Sequence, residues 1–223
     1  MSPTAEMTDT SPGILAIFNN VAPGREAEFE AWFQHEHLAE RMAVPGFLIG
    51  RRHEAISGQP RYFNFYLTQS VAVLKSAAYL GRLDDPTPMT RSVMSEIFKD
   101  MIRTVCRRTF RRGAMRGTAV VTVRFGERPA ETDLQAAIET LMRDKAVACG
   151  EIWQAADALE FPVSMEERLR GGDRKIEACL LVETLRVPEA ERIATVLAHE
   201  FPRTEIGVYR LLCEITANGL PRG

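Results

Sequence analysis

The chain has 223 residues, of which 45% are hydrophobic and 26% charged, as is usual in soluble globular proteins. Its 28 basic and 30 acidic side chains leave a formal net charge of -2, so no strong basic field favours nucleic acid or an anionic membrane surface. No run of apolar residues is long enough to span a bilayer. We therefore expect neither a nucleic-acid partner nor a membrane partner.

The N-terminal residues 1–12 lack the layout of a signal peptide, and we expect a disordered leader there and a short tail at 217–223. The four cysteines stand singly, without the paired spacing of metal ligands or of a disulfide framework. We expect them to be reduced core residues of a cytoplasmic protein, and we expect no structural metal.

The first half of the chain predicts the element order β-α-β-β-α-β. A strand at 13–20 precedes a helix that begins near Arg25 and carries Phe29, Trp32 and Phe33 on one face. After Pro45 the pattern predicts a hairpin of two strands at 47–56 and 61–68, a helical stretch interrupted at 84–88, and a strand at 101–110.

The same order then repeats after a boundary at 111–117. Strands are predicted at 118–125, 148–155, 176–184 and 205–215, with helices at 129–146 and from Pro188 onward. The repeat predicts an α+β fold of two tandem ferredoxin-like units at 13–113 and 117–216.

The composition of the first strand indicates that both faces of the sheet are buried. Leu15 and Ile17 lie on one face, and Ile14, Ala16 and Phe18 lie on the other. The simplest architecture therefore packs the two sheets against each other as a barrel-like sandwich within one chain, with the helices outside.

Residues 28–41 (EFEAWFQHEHLAER), followed by Val44-Pro45-Gly46-Phe47, resemble the first helix and the second-strand entry of the dimeric α/β-barrel superfamily, of the EthD-like and stress-responsive barrel type. The segments 60–62 and 78–88 fit the same pattern, and the second half matches by element order. The resemblance implies an intrachain dimeric α/β barrel. It is less specific about function, because the superfamily includes isomerases, cyclases, cofactor-free monooxygenases and haem enzymes.

The first helix holds the catalytic candidates. At about 100° per residue, Glu36 and Glu40 would continue the buried stripe of Phe29, with His37 at its margin. Burial of unpaired carboxylates is costly. Either the helix frays and Glu36 forms a surface ion pair, or His37 with Glu36 or Glu40 lines the barrel mouth as a general acid–base group. His35 and His37 would lie on different sides of a helix, so a shared metal ion is not expected.

The hairpin holds the substrate-binding candidates. Alternation places Tyr62, Asn64 and Tyr66 on one face of the third strand, which is either solvated or closed into a cavity wall by the second repeat. In the second strand, Arg51 and His53 share a face with Phe47 and Ile49. The predicted substrate-binding residues are Trp32, Arg51, His53, Tyr62, Asn64 and Tyr66.

Two further segments are rich in charge. Five arginines in and after the fourth strand either clamp an anion or solubilise an edge: Arg103, Arg107, Arg108, Arg111 and Arg112. The long connection at 157–174 is predicted to be a mobile flap over the barrel end.

The first hypothesis for function is a cofactor-independent enzyme, such as an isomerase, cyclase or monooxygenase, which acts on a small, partly apolar metabolite by general acid–base chemistry. The alternatives are a non-catalytic small-molecule binder and a haem-binding barrel protein with a histidine as axial ligand. The oligomeric state stays open, and a homodimer is among the options.

Overall fold

The computed structural model describes residues 10–217. Most of the predicted leader and nearly all of the predicted tail lie outside the described residues. The strands are β1 (Gly13–Val21), β2 (Phe47–Ser57), β3 (Tyr62–Thr68), β4 (Phe98–Arg112), β5 (Ala119–Phe125), β6 (Val147–Ala155), β7 (Ala178–Thr184) and β8 (Glu205–Thr216).

The helices lie between the strands, and all except α6, which lies in the predicted flap, fall where the sequence predicts helical stretches. They are α1 (Glu26–Trp32), α2 (Leu38–Met42), α3 (Ala77–Asp84), α4 (Pro88–Ser92), α5 (Glu131–Leu141), α6 (Met165–Leu169) and α7 (Val187–Glu200). Two π-helical turns extend α1 and α4, at Phe33–His37 and Val93–Ile97. Short 3-10 turns occupy Val71–Lys75 and Ala158–Glu160. No helix within residues 10–217 is long and apolar enough to cross a membrane.

The eight strands form one closed antiparallel barrel in the order β1-β3-β2-β8-β5-β7-β6-β4. Strands of the first half are adjacent to one another, as are strands of the second half. The two sets are hydrogen-bonded at β2–β8 and at β4–β6. The expected packing of two sheets is thus realised as a single mixed α/β barrel that closes within residues 10–217.

The barrel interior is a packed aromatic core. Phe63 lies between the two halves, with ring-centroid distances of 6.1 Å to Trp153 and 5.4 Å to Tyr209. Ile14, Ala16 and Phe18 also point into this interior, whereas Leu15 and Ile17 pack beneath the first-half helices. The predicted burial of both faces of β1 is therefore confirmed.

The outer face of each half carries its own helix layer. In the second half, α5 packs against β6 and β4 and α7 packs against β5, β7 and β8, with aliphatic side chains such as Leu134, Ile138, Ile193 and Leu197. In the first half, the layer from α1 to α4 is rich in aromatic rings and includes buried polar groups. The two helix layers of the described residues therefore differ in chemistry.

The connection between β6 and β7 crosses to the first half. Its α6 packs against α3, and a short parallel bridge pairs Ile102 with Arg174. The amide of Arg103 donates to the carbonyl of Arg174 at 3.0 Å, and the amide of Arg174 donates to the carbonyl of Met101 at 3.0 Å. The segment predicted as a flap over the barrel end therefore covers the helix layer of the first half.

Candidate functional site

A π-helical turn sets which residues of the first helix face the sheet. The turn at Phe33–His37 inserts about one extra residue relative to regular α-helical spacing, which advances every later side chain by one position. His37 and Arg41 consequently occupy the buried stripe, where regular spacing predicts Glu36 and Glu40. The helical phase predicted from the sequence is therefore wrong beyond Phe33.

The His37 imidazole is buried in an aromatic setting. Its ring centroid lies 4.2 Å from that of Trp32, 5.5 Å from Phe33 and 6.4 Å from Tyr66. Its Nδ1 has no hydrogen-bond partner. Burial, followed by the charges of nearby arginines, lowers the pKa of His37 well below the ordinary value. The imidazole is therefore neutral near physiological pH.

Strand β3 contributes further polar side chains near the His37 ring. The alternate residues Tyr62, Asn64 and Tyr66 share one face, as the sequence predicts, but this face packs beneath the first-half helices. This face is therefore not solvated, and the sheet of the second repeat does not cover it either, because Phe63 and Phe65 on the other face of β3 fill the barrel interior. The side-chain nitrogen of Asn64 donates to Asn19 Oδ1 at 3.3 Å, which leaves Asn64 Oδ1 without a partner.

Helix α6 and the residue that follows it, Arg170, lie over this face of β3. Glu166 forms a buried ion pair with Arg41, whose Nη1 remains without a partner. Arg170 lies beside them and pairs with Asp173 at 2.7 Å. The pocket is thus built from both halves of the chain, a feature that the sequence does not reveal.

Together these side chains enclose a cavity of about 20 Å³, which has room for about one water molecule. His37, Asn64 and Arg41 supply polar groups, and the apolar lining includes Phe33 and Phe98. Three buried polar atoms without partners belong to residues that line this single cavity: His37 Nδ1, Asn64 Oδ1 and Arg41 Nη1.

A larger cleft lies next to this cavity. It has a volume of about 710 Å³ and is lined by β4 and by the connection after β6. Arg103 lines both the cleft and the cavity, and its Nη2 donates to the Tyr79 hydroxyl at 2.8 Å. The cleft is open to solvent, so the Arg103 side chain marks the junction between solvent and the buried site.

The carboxylates predicted as catalytic do not line the cavity. Glu36 accepts hydrogen bonds from the hydroxyls of Thr87 and Thr90, and Thr90 in turn accepts from the Trp32 indole at 2.9 Å. Glu40 lies 3.7 Å from Arg82, and partial burial raises its pKa. Glu36 therefore has a structural contact with α4, and neither carboxylate contacts the His37 ring.

His53 and Arg51 lie on the opposite side of the sheet from the cavity. A register shift between Phe47 and Ile49 turns Phe47 towards the helices while Ile49, Arg51 and His53 face the barrel interior. The predicted common face of these residues is therefore wrong for Phe47. His53 stacks between the interior rings, where burial lowers its pKa to about 3, and it does not reach the cavity.

The remaining predicted substrate-binding residues, Trp32, Tyr66 and Tyr62, are not part of the cavity lining. Trp32 forms the floor on which His37 stacks, and Tyr66 has a buried hydroxyl without a partner near the same ring. Tyr62 packs against Phe29 and under the Arg52 guanidinium, outside the cavity lining.

Four residues line the cavity without having been predicted as site residues: Arg41, Tyr79, Glu166 and Arg170. Arg103 also lines it, and was predicted only as one of the five clustered arginines. Their positions depend on the π turn and on the path of α6, and no local spacing signals either of these. Among the described residues, no group of three potential metal ligands is brought together.

Several solved structures have a fold similar to that of this chain. An anthrone oxidase-like protein matches with a TM-score of 0.61 and 11% identity, over 94% of each chain. A proposed monooxygenase from Fusobacterium nucleatum matches with a TM-score of 0.56 and 10% identity, over 95% of this chain and 97% of that one. A proposed chlorite dismutase matches with a TM-score of 0.55 and 11% identity, over 92% and 96%.

The chain has the dimeric α/β-barrel fold. All three of these structural neighbours share it, and at such low identity the similarity concerns the fold alone. No protein-family model and no curated protein sequence matches the chain. The function must therefore be argued from the residues of the α/β barrel itself.

The haem alternative lacks a matching pocket within residues 10–217. The cavity beside His37 holds about one water molecule, and the large cleft has no histidine or cysteine in its lining. In the second half, the space between helices and sheet is filled by aliphatic side chains such as Leu134 and Ile193. In the closed arrangement described by residues 10–217, none of these three spaces places a histidine or cysteine beside room for a porphyrin.

Proposed function

We propose that this chain is a cofactor-independent enzyme of the EthD-like barrel type, which acts on a small, partly apolar metabolite by general acid–base chemistry at His37. The observation that carries the proposal is that three residues lining one cavity each have a buried polar atom without a partner: His37 Nδ1, Asn64 Oδ1 and Arg41 Nη1. Buried polar groups without partners are rare in native proteins, and such groups often await a ligand.

The chemistry follows from the charge of each group. The neutral imidazole of His37 can accept a proton from an acidic C–H or O–H of a bound substrate. The anion that forms is stabilised by the guanidinium of Arg41, while Asn64 Oδ1 accepts a hydrogen bond from a substrate hydroxyl. The arginine charges that lower the pKa of His37 thus favour the anionic state of the substrate.

Access requires the connection at 157–174 to move. Polar contacts hold α6 in place, including Arg41–Glu166 and the 3.0 Å hydrogen bond from the Met165 amide to Asp84. Displacement of this segment would join the small cavity to the adjacent cleft through Arg103 and create a space of metabolite size.

Two finer features belong to the same proposal. The strand order is β4-β1-β3-β2 in the first half and β8-β5-β7-β6 in the second. The two orders match strand by strand, which supports two tandem ferredoxin-like units at 13–113 and 117–216. The neighbours described as anthrone oxidase-like and as a monooxygenase favour an oxygen-consuming reaction over isomerisation or cyclisation.

The test is an assay of anthrone and a panel of enolisable aryl ketones, in which oxygen uptake and proton exchange are followed with the purified protein. We expect acceleration by the wild-type protein and a loss of about 100-fold or more in His37→Gln. His35→Gln is the matched control, because His35 is exposed two residues away. Binding without acceleration would overturn the enzyme proposal in favour of a binding protein, and equal rates in His37→Gln would exclude His37 as the base.

A further inference from the structure

The charges around the cavity do not balance. Three arginines line it: Arg41, Arg103 and Arg170. Two carboxylates are paired with them, since Glu166 contacts Arg41 and Asp173 is held by Arg170 through two hydrogen bonds of 2.8 and 2.7 Å. With His37 neutral, three positive and two negative charges leave one positive charge uncompensated.

The uncompensated charge belongs to Arg103. Its side chain donates to the Tyr79 hydroxyl at 2.8 Å, and no carboxylate of residues 10–217 lies within ion-pair distance of it, although Asp173 and Glu166 act on its charge from a longer distance. A partly buried cation without an anionic partner is unfavourable in the empty protein. The same cation is a strong binding group for an anion that enters from solvent.

The shape of the site adds a second constraint. Arg103 lies where the small cavity meets the open cleft, whereas the interior beyond it is lined by apolar side chains including Phe33, Met94 and Phe98. A ligand with its charged end at Arg103 would place its opposite end towards His37. That end must be apolar and flat to pack against these rings.

We propose that the substrate is a monoanionic aromatic carboxylate, whose carboxylate is bound by Arg103 and whose ring occupies, towards His37, the space that opens when residues 157–174 move. This inference rests on the proposed function and names its substrate class. The planar fork of a guanidinium matches a carboxylate through two parallel hydrogen bonds. One uncompensated positive charge matches a single negative charge better than the doubly charged form of a phosphate ester. Arg103 is thereby a specificity-determining residue.

The test compares two probes of the same shape, 2-naphthoate and the neutral 2-naphthamide, by titration calorimetry on the full chain. We expect wild-type protein to bind the acid at least about tenfold more tightly than the amide, since a charge-assisted hydrogen bond contributes about 1.5–3 kcal/mol. Arg103→Gln should reduce the difference to about twofold, and Arg103→Lys should give an intermediate value. Arg128→Gln is the control, because Arg128 lines only the cleft and is half exposed.

Equal binding of the two probes to the wild-type protein, or no binding of 2-naphthoate at millimolar concentration, would overturn the inference. Retention of the full acid preference in Arg103→Gln would also overturn it. If Arg103→Gln does not fold, the wild-type comparison and Arg103→Lys still decide. These outcomes are independent of the rate assay on His37→Gln, so failure of the substrate class and failure of the enzymatic proposal can be told apart.

Discussion

Arg51 and Glu183 form an ion pair across the barrel interior, with 2.7 Å between Nη1 and Oε2 and almost no exposure of either side chain. They lie on β2 and β7, so the pair joins the two halves of the chain. Glu183 also accepts a hydrogen bond from Arg116 at 2.6 Å, and Arg116 reaches Glu151 at 3.0 Å. A network of buried charges therefore holds the halves together near the start of β5.

We expect Glu183→Gln to destabilise the fold by about 3–5 kcal/mol, because it removes the buried carboxylate that Arg51 and Arg116 share and leaves Arg51 with only the half-buried Glu214. Urea denaturation followed by circular dichroism measures the change in the free energy of unfolding. Glu28→Gln is the matched control, because the Arg25–Glu28 pair is exposed and surface ion pairs contribute little to stability. A loss in Glu183→Gln as small as that in the control would contradict the role of the network.

A second prediction concerns the pH dependence of stability. Burial and then the charge of Arg51 lower the pKa of His53 to about 3 in the folded protein, whereas the unfolded chain has a pKa near 6.5. Below about pH 6.5 the unfolded state therefore binds a proton that the folded state does not. Stability from this group is complete above that pH and is lost as the pH falls towards 3, by up to about 1.4 kcal/mol per pH unit.

Denaturation midpoints measured between about pH 7 and pH 5 test this expectation, because most carboxylates titrate below that window. His53→Gln should show a shallower decline, while His199→Gln, which changes an exposed histidine on α7, should follow the wild-type slope. The slope that remains in His53→Gln is assigned to His37, whose pKa is also lowered. An unchanged slope in His53→Gln would show that His53 titrates normally.

The pH dependence of catalysis should follow His37. Because burial and arginine charges hold its pKa well below the ordinary value, the imidazole stays neutral through the physiological range. We expect kcat/KM for the accepted substrate to be constant from about pH 8 to pH 6.5 and to fall only well below that. An acid limb with its midpoint at or above pH 6.5 would mean that the reacting group is not His37 in this environment.

The contact between Arg41 and Glu166 should control the opening of α6. Glu166→Gln removes the carboxylate that compensates Arg41, so the closed position of α6 loses stability relative to a displaced one. We expect faster hydrogen exchange at residues 157–174, by about tenfold or more, with little change in the barrel strands.

Glu167→Gln provides the matched control for this measurement, because the adjacent Glu167 pairs with the half-exposed Lys175. Exchange in Glu167→Gln should stay close to the wild-type rate. Uniformly faster exchange throughout the barrel of Glu166→Gln would indicate global destabilisation, and the idea that α6 opens separately would be wrong.

The sequence alone determined the eight strands, the main helices between them and the two-sided burial of β1. Alternation in β1 assigned Leu15 and Ile17 to one face and Ile14 to the other, and both assignments are confirmed. These features depend on the fixed period of two residues in a strand, which a sequence displays directly. The aromatic stripe of α1 was determined for the same reason, since regular helical spacing holds as far as Phe33.

Only the tertiary structure decided which side chains reach the cavity. A one-residue insertion in the π turn replaced Glu36 by His37 and Glu40 by Arg41 on the buried face, and the register shift in β2 separated Phe47 from His53. Such irregularities have a local cost that distant contacts offset, such as the stacking of His37 on Trp32. The cover from Glu166 lies 125 residues away from Arg41 in the sequence. No local pattern can therefore reveal it, because the contact exists only after both halves of the barrel have closed.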